Sequence, residues 1–169
     1  MVLLPAFAPA DLAAVIERDR PTALWSAPAH FAALRAQGLV AKHDFSSLRM
    51  MIISGTSCPP DLARWVAAQL PGCAVTQLWG MTETQGALYT RPGDPIELTA
   101  TTTGRASPGT EVRVADADGR ACPPGEEGEL QVRGCSVFDG YLGNAQATAS
   151  SFTVDGWFRT GDLARMDAQ

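Results

Sequence analysis

Residues 48–78 read LRMMIISGTSCPPDLARWVAAQLPGCAVTQL, and their punctuation separates three elements. Residues 48–53 (LRMMII) form an apolar run of strand length. In residues 61–70, Leu62, Trp65, Val66 and Leu70 recur on one helical face; Pro59 and Pro60 open the segment and Pro71-Gly72 stops it. Residues 74–78 (AVTQL) are again strand-like. Strand, helix, strand in this rhythm predicts a parallel sheet with right-handed crossovers, so the expected fold class is α/β.

The same rhythm extends towards the N-terminus. Residues 11–20 place Leu12, Val15 and Ile16 at helical spacing, residues 22–26 (TALWS) are short and apolar, and Phe31 and Leu34 share a helical face that Gly38 closes. Towards the C-terminus the texture changes. From about residue 99 the chain is rich in Thr, Gly and Pro, Val112 and Val114 alternate ahead of an Asp118-Gly119 turn, and residues 129–134 (ELQVRG) alternate again. A small antiparallel β subdomain is expected there. The division is set at residues 1–95, a parallel βαβ portion, and 96–169, a mainly β portion.

Composition narrows the function. The chain has 169 residues, 46% of them hydrophobic and 18% charged, with a net charge of -5. That balance predicts a soluble globular protein, and its scattered Lys and Arg exclude a nucleic-acid surface, which needs them clustered. Cys58, Cys73, Cys122 and Cys135 form no CxxC pair, which leaves metal clusters and redox motifs unsupported and predicts reduced cytoplasmic thiols. MVLLPAFAPA at residues 1–10 lacks a basic leader and is broken by Pro5 and Pro9, so neither a signal peptide nor a transmembrane segment is expected.

Ligands of an open parallel sheet gather at the carboxyl ends of its strands. Two loops qualify: Ser54-Gly55-Thr56-Ser57 after LRMMII, and Trp79-Gly80-Met81-Thr82-Glu83 after AVTQL. If the strands are neighbours, the loops face one crevice. Ser57 does not make a nucleophile elbow, because Pro59 stands at the glycine position and both histidines, His30 and His43, precede it. Neither GxxxxGK[ST] nor GxGxxG occurs, so a nucleotide site must be built another way. Trp79 offers a face for a purine, Gly80 lets a ligand approach the backbone, the Thr82 hydroxyl suits a phosphate, and Glu83 suits Mg²⁺. By its own chemistry the stretch serves equally well as a Trp-anchored turn. Two further segments break the tie: GELQVRGCSVFDGYLGN (128–144) and DGWFRTGDL (155–163) put glycines beside charged and aromatic residues, and Asp162 after Thr160-Gly161 is suited to accept both hydroxyls of a ribose.

SGTSCPP, QLWGMTE, GELQVRG followed by GYL, and WFRTGDL, in this order, resemble the AMP-forming acyl-CoA synthetases of the adenylate-forming ligase superfamily. GRASPGTEVRV and the DADGRACPPGEEGEL hairpin extend the likeness over nearly the whole chain. The resemblance implies a carboxylic (fatty) acid, ATP and coenzyme A as partners, with Mg²⁺, an acyl-adenylate and pyrophosphate. Carried over by position, Trp79 stacks near adenine, Thr82 contacts the α-phosphate, Glu83 ligates Mg²⁺ and Asp162 holds the ribose. Gly55 and Thr56 border adenine and the acyl pocket, and Gly80 and Met81 line its acyl side. Thr82 and Glu83 are the implied catalytic pair.

The departures from the family pattern are specific. The aromatic is usually tyrosine rather than Trp79, and the first loop is usually close to Gly-Gly-Ala-Pro rather than Gly55-Thr56-Ser57-Cys58. Met81 in GMTE favours acyl-CoA synthetases over peptide-synthetase adenylation domains; a non-catalytic binding module is the third reading. The family's phosphate loop and its C-terminal lysine domain find no counterpart in these residues, so a central fragment is expected. One aromatic stack contributes roughly 0.5–1.5 kcal/mol and a charge-assisted hydrogen bond about 1.5–3, against about 4 for millimolar binding. Weak ATP binding, negligible adenylation and self-association through uncovered apolar surface are therefore expected of these residues alone.

Overall fold

A computed structural model describes residues 6–168; the leader reading of residues 1–10 falls partly outside them. The described residues form two compact units, 6–79 with 88–105 and 80–87 with 106–168. They interleave along the sequence, because the excursion 80–87 leaves the first unit and the chain then returns to it.

The first unit is built on the predicted strand–helix rhythm. The elements up to residue 106 are α1 (Pro9–Asp19), β1 (Ala23–Ser26), α2 (Pro28–Ala36), β2 (Met50–Ser54), α3 (Pro60–Gln69), β3 (Ala74–Met81), β4 (Gln85–Tyr89), α4 (Ile96–Thr101) and β5 (Arg105–Ala106), with the excursion 80–87 taking the end of β3 and the start of β4; the sheet has the order β1-β2-β3-β4-β5. β1, β2 and β3 run parallel, with Leu24 opposite Met51 and Met51 opposite Val75. That register aligns one apolar row, and Met51, Ile53 and Val75 are buried in one cluster with Ile16, Phe31, Leu34, Leu62 and Val66 from the helices.

Each helix has a local cause. Pro stands in the first turn of α1, α2 and α3, where its missing N–H would have had no partner. Asp61 adds a negative charge at the N-terminus of α3. The predicted α3 face is the buried one: Leu62 and Val66 are enclosed, while Trp65 and Leu70 pack against the same cluster. α4 is fixed by hydrogen bonds rather than by apolar contact alone. Thr99 Oγ1 donates to Val75 O at 3.4 Å and lies 3.3 Å from Thr90 Oγ1, while Gln77 N donates to Thr90 Oγ1 at 2.8 Å. No buried side-chain polar atom among the described residues lacks a partner.

The second unit holds the expected antiparallel sheet. β6 (Thr110–Ala115), β7 (Gly128–Gly134) and β8 (Phe158–Ala164) pair in that order, with α5 (Ala145–Ser151) before β8. Val112 faces Val132, Val114 faces Leu130 and Val132 faces Phe158, which brings Val114, Leu130, Val132 and Phe158 together as a buried row. Trp157 is buried beneath two guanidinium groups, Arg113 at 4.6 Å and Arg133 at 4.5 Å from its ring centre. Those arginines are themselves paired, Arg113 with Asp155 and Arg133 with Glu111. No helix among the described residues is long and apolar enough to cross a membrane.

Candidate functional site

The condition set by the sequence is met within the first unit: β2 and β3 are adjacent and parallel. Ser54 pairs with Leu78, so Gly55 and Trp79 each follow a partner of the last β2–β3 cross-strand pair, at the carboxyl end of β2. Gly55 takes φ +94 with no atom within 4 Å of its Cβ position, so it is there for its backbone conformation. Gly55 and Thr56 are exposed, and Trp79 is half-buried.

β3 runs further than AVTQL. Trp79, Gly80 and Met81 are strand residues, and the expected loop is the tip of a β3–β4 hairpin. Thr84 N donates to Met81 O at 3.1 Å, which makes Thr82 and Glu83 the two central residues of a turn. Gln85, the first residue of β4, follows at φ +55, in the left-handed region. Met81 N donates to Thr84 Oγ1 at 3.2 Å and Gln85 Nε2 to Thr82 O at 3.1 Å, so the loop is closed by its own side chains. Thr84 is completely buried as the internal brace, whereas Thr82 is exposed.

Gly80 has a reason that the sequence alone did not suggest. A Cβ there would lie 1.8 Å from the Gln85 carbonyl oxygen and 2.8 Å from its carbon. The returning strand occupies that space, and glycine is what allows the hairpin to close.

The Glu83 carboxylate is oriented by a second segment of the same unit. Tyr141 Oη donates to Glu83 Oε1 at 3.0 Å, and Phe138 N donates to the Glu83 carbonyl at 2.8 Å. The carboxylate beside it, together with burial, raises the Tyr141 phenol above its ordinary value. Sequence reasoning quoted GYL without giving Tyr141 a contact; the signal available was an aromatic pair, Phe138 and Tyr141, astride Gly140.

Asp162 lies on β8, in a widened register. Gln131 pairs with Arg159 and Glu129 with Leu163, so two steps of β7 face four of β8 and residues 160–162 bulge out. Gly161 takes φ +77 within the bulge. Thr160 Oγ1 donates to Leu130 O at 2.7 Å and accepts Asp162 N at 3.1 Å, and Asp162 itself is exposed. Bulges of this kind re-aim side chains beside functional sites.

Among the described residues, the other reactive groups are engaged elsewhere or unsuited to catalysis. Ser57 is exposed, while His30 bonds Ser26 through Nδ1 at 2.6 Å and His43 bonds Glu17 at 2.9 Å. Burial pushes the Cys58 and Cys73 thiols up, away from the thiolate a nucleophile needs. No three His, Cys, Asp or Glu side chains among the described residues converge on a common metal position. Glu83 nevertheless fits Mg²⁺, which is commonly held by one or two carboxylates together with substrate phosphates.

Residues 1–142 match the AMP-binding enzyme family. The 4-coumarate–CoA ligase-like 6 of Oryza sativa subsp. japonica is 34% identical over 163 residues, 96% of this chain and 27% of that protein. The 2-hydroxy-7-methoxy-5-methyl-1-naphthoate–CoA ligase of Streptomyces carzinostaticus is 40% identical over 161 residues, 94% of this chain and 28% of that protein. ATP-bound MatB of Rhodopseudomonas palustris superposes with a TM-score of 0.88 at 32% identity, over 99% of this chain and 33% of that one. The chain thus spans about a third or less of the length of the proteins it matches. With residues 1–142 matched, the chain belongs to the AMP-binding enzyme family.

Proposed function

We propose that these residues form part of the nucleotide- and acyl-handling surface of an ATP-dependent, AMP-forming carboxylic acid–CoA ligase. One observation carries the reading: Thr82 and Glu83 occupy the two central positions of a braced hairpin turn whose strand β3 runs beside β2. A turn held so tightly presents a hydroxyl and a carboxylate in fixed relation, which is what binding of a polyphosphate requires.

In this reading Trp79 stacks on adenine, Asp162 accepts the ribose hydroxyls, and the Thr82 hydroxyl donates to an α-phosphate oxygen. Gly55 and Thr56 border adenine and the acyl pocket, with Gly80 and Met81 on its acyl side. Glu83 holds Mg²⁺, which when bound neutralises phosphate charge. The substrate carboxylate attacks the α-phosphorus, the bond to the β-phosphate oxygen breaks and pyrophosphate leaves. The thiol of coenzyme A then attacks the acyl carbon, releasing AMP. One relative is a naphthoate–CoA ligase and another is named for its likeness to 4-coumarate–CoA ligases, so an aromatic carboxylate is the first substrate class to try, with fatty acids beside it.

Because the relatives are about three times longer, residues 1–169 alone are proposed to bind Mg·ATP weakly and not to turn over. The test measures ATP binding by calorimetry or ligand-observed NMR, and pyrophosphate release with 4-coumarate, medium-chain fatty acids and coenzyme A. Millimolar or weaker ATP binding that falls on Glu83→Gln is expected. Sustained pyrophosphate release by the 169-residue chain would overturn the inactivity, and ATP binding indifferent to Glu83 would overturn the site.

A further inference from the structure

The segment joining β7 to α5 has no evident reason to grip the hairpin tip at two points, yet it does. Phe138 N–H holds the Glu83 main chain at 2.8 Å, and Tyr141 Oη holds the Glu83 side chain at 3.0 Å. A single bond would tether a loop. Two bonds, one to each end of the same residue, fix both where Glu83 sits and which way its carboxylate points.

The donor is itself fixed. The Tyr141 ring meets Phe138 edge-on at 4.8 Å, and Phe138 packs on Phe158 at 5.4 Å and Phe152 at 5.9 Å, the row that anchors β8 and the end of α5. Tyr141 N donates to Thr148 Oγ1 at 2.9 Å. Gly140, at φ +149, makes room for that threonine, since a Cβ would come 2.5 Å from Thr148 Cγ2. A main-chain hydrogen bond, a ring contact and a glycine thus converge on the orientation of one phenol that remains 38% exposed.

We propose that Tyr141 is a positioning residue for the Glu83 carboxylate, holding it in one orientation so that its remaining lone pairs are presented to the cation that accompanies a bound nucleotide. This rests on the functional reading above, in which Glu83 faces Mg·ATP. A neutral phenol suits the task. It donates one hydrogen bond to Oε1, leaves Oε2 open, and brings no charge that would compete with the cation. Carboxylates that ligate metals are characteristically hydrogen-bonded in this way, and removal of such a partner costs about 10–100-fold in metal affinity or activity.

The experiment uses the 169-residue chain with Tyr141→Phe, Glu83→Gln and both together. Phenylalanine keeps the ring and its contact with Phe138, so the melting temperature should stay near that of the parent. Two readouts are taken: the ¹³C resonance of the Glu83 carboxyl without ligand, and ATP affinity by ligand-observed NMR, with Mg²⁺ and with chelator. The inference expects Tyr141→Phe to move the carboxyl resonance and to weaken Mg·ATP binding about tenfold, the lower end of the range because the pair is exposed. Metal-free ATP binding should be unchanged, and Tyr141→Phe should add nothing in the Glu83→Gln background. An unmoved carboxyl resonance, or Mg·ATP binding that falls with Glu83→Gln but not with Tyr141→Phe, overturns the role of Tyr141 and leaves the nucleotide reading standing. Equal weakening with and without Mg²⁺, accompanied by a lower melting temperature, shows a merely structural residue and overturns it too. If the parent binds Mg·ATP no better than metal-free ATP and Glu83→Gln changes neither, the nucleotide reading falls and takes the inference with it.

Discussion

Replacing Gly80 by alanine tests the geometry of the hairpin at its tightest point. The added methyl carbon would sit 1.8 Å from the Gln85 carbonyl oxygen, 2.8 Å from its carbon and 3.1 Å from Gly86 Cα, all of them backbone atoms with no rotamer to yield. The strands must part by more than 1 Å, roughly the gap to an ordinary contact near 3.5 Å. Over-packing of a few tenths of an ångström to one methylene costs about 1–3 kcal/mol, so a backbone clash of this size belongs at or above about 3. For a chain of this length about 3 kcal/mol corresponds to a fall in melting temperature of roughly 6–12 °C. Gly55→Ala is the control: its Cβ meets nothing, and only the backbone conformation is strained, for about 1–2 kcal/mol. Thermal melts, with amide exchange at Met81 and Gln85, distinguish the two. If Gly80→Ala melts no lower than Gly55→Ala and those amides stay protected, the account of why Gly80 is a glycine is wrong.

Other outcomes follow from the same structure. Phe158→Ala removes a side chain that is 1% exposed and touches both Phe138 and Phe152, and should cost about 3–5 kcal/mol by chemical denaturation. Glu97→Gln breaks only the exposed pair with Arg64 and should change stability by less than about 1 kcal/mol. Several carboxyls are held below their ordinary values: Asp44 by the Ser46 hydroxyl and Arg20, Glu111 by Arg133, Asp155 by Thr153 and Arg113. Since each binds its proton less readily folded than unfolded, their stabilisation is full above the ordinary carboxyl range near pH 4 and is lost progressively as pH falls below it towards the lowered folded values. A melting temperature that held constant from about pH 6 to about pH 3 would refute this. Exposed Trp25, Leu142, Val154 and Leu163 favour self-association of the 169-residue chain, and a monodisperse monomer on sizing chromatography would contradict it.

The legible part of the fold was the part written in local periodicity. Leu62, Trp65, Val66 and Leu70 declared α3 because a helix repeats over a few residues, and prolines and glycines marked its ends. LRMMII and AVTQL declared strands and the chain rhythm declared them parallel, but that β2 and β3 are neighbours is visible only in their pairing. The β6 and β7 strands were equally plain from Val112, Val114 and ELQVRG. The interleaving of the two units was not, since it depends on where residues 80–87 pack and no local pattern encodes that.

The site shows the same split at finer scale. Trp79, Thr82, Glu83 and Asp162 could be singled out because their chemistry is visible in isolation, as a ring, a hydroxyl and two carboxylates. What holds Thr82 and Glu83 was hidden, because β3 continues through Trp79-Gly80-Met81, and a glycine beside an aromatic reads as a loop when the strand returning from Gln85 is not yet in view. Gly80 is the decisive case. Read along the chain, its missing side chain suggests room for a ligand; read across the hairpin, the Cβ position is also where the Gln85 carbonyl lies. The grip of Tyr141 on Glu83 spans 58 residues and leaves no periodic trace, so only the folded chain reveals it. Motif residues therefore name the chemistry, while the contacts that hold them, made by Thr84, Phe138 and Tyr141, come to light only across strands and between distant segments.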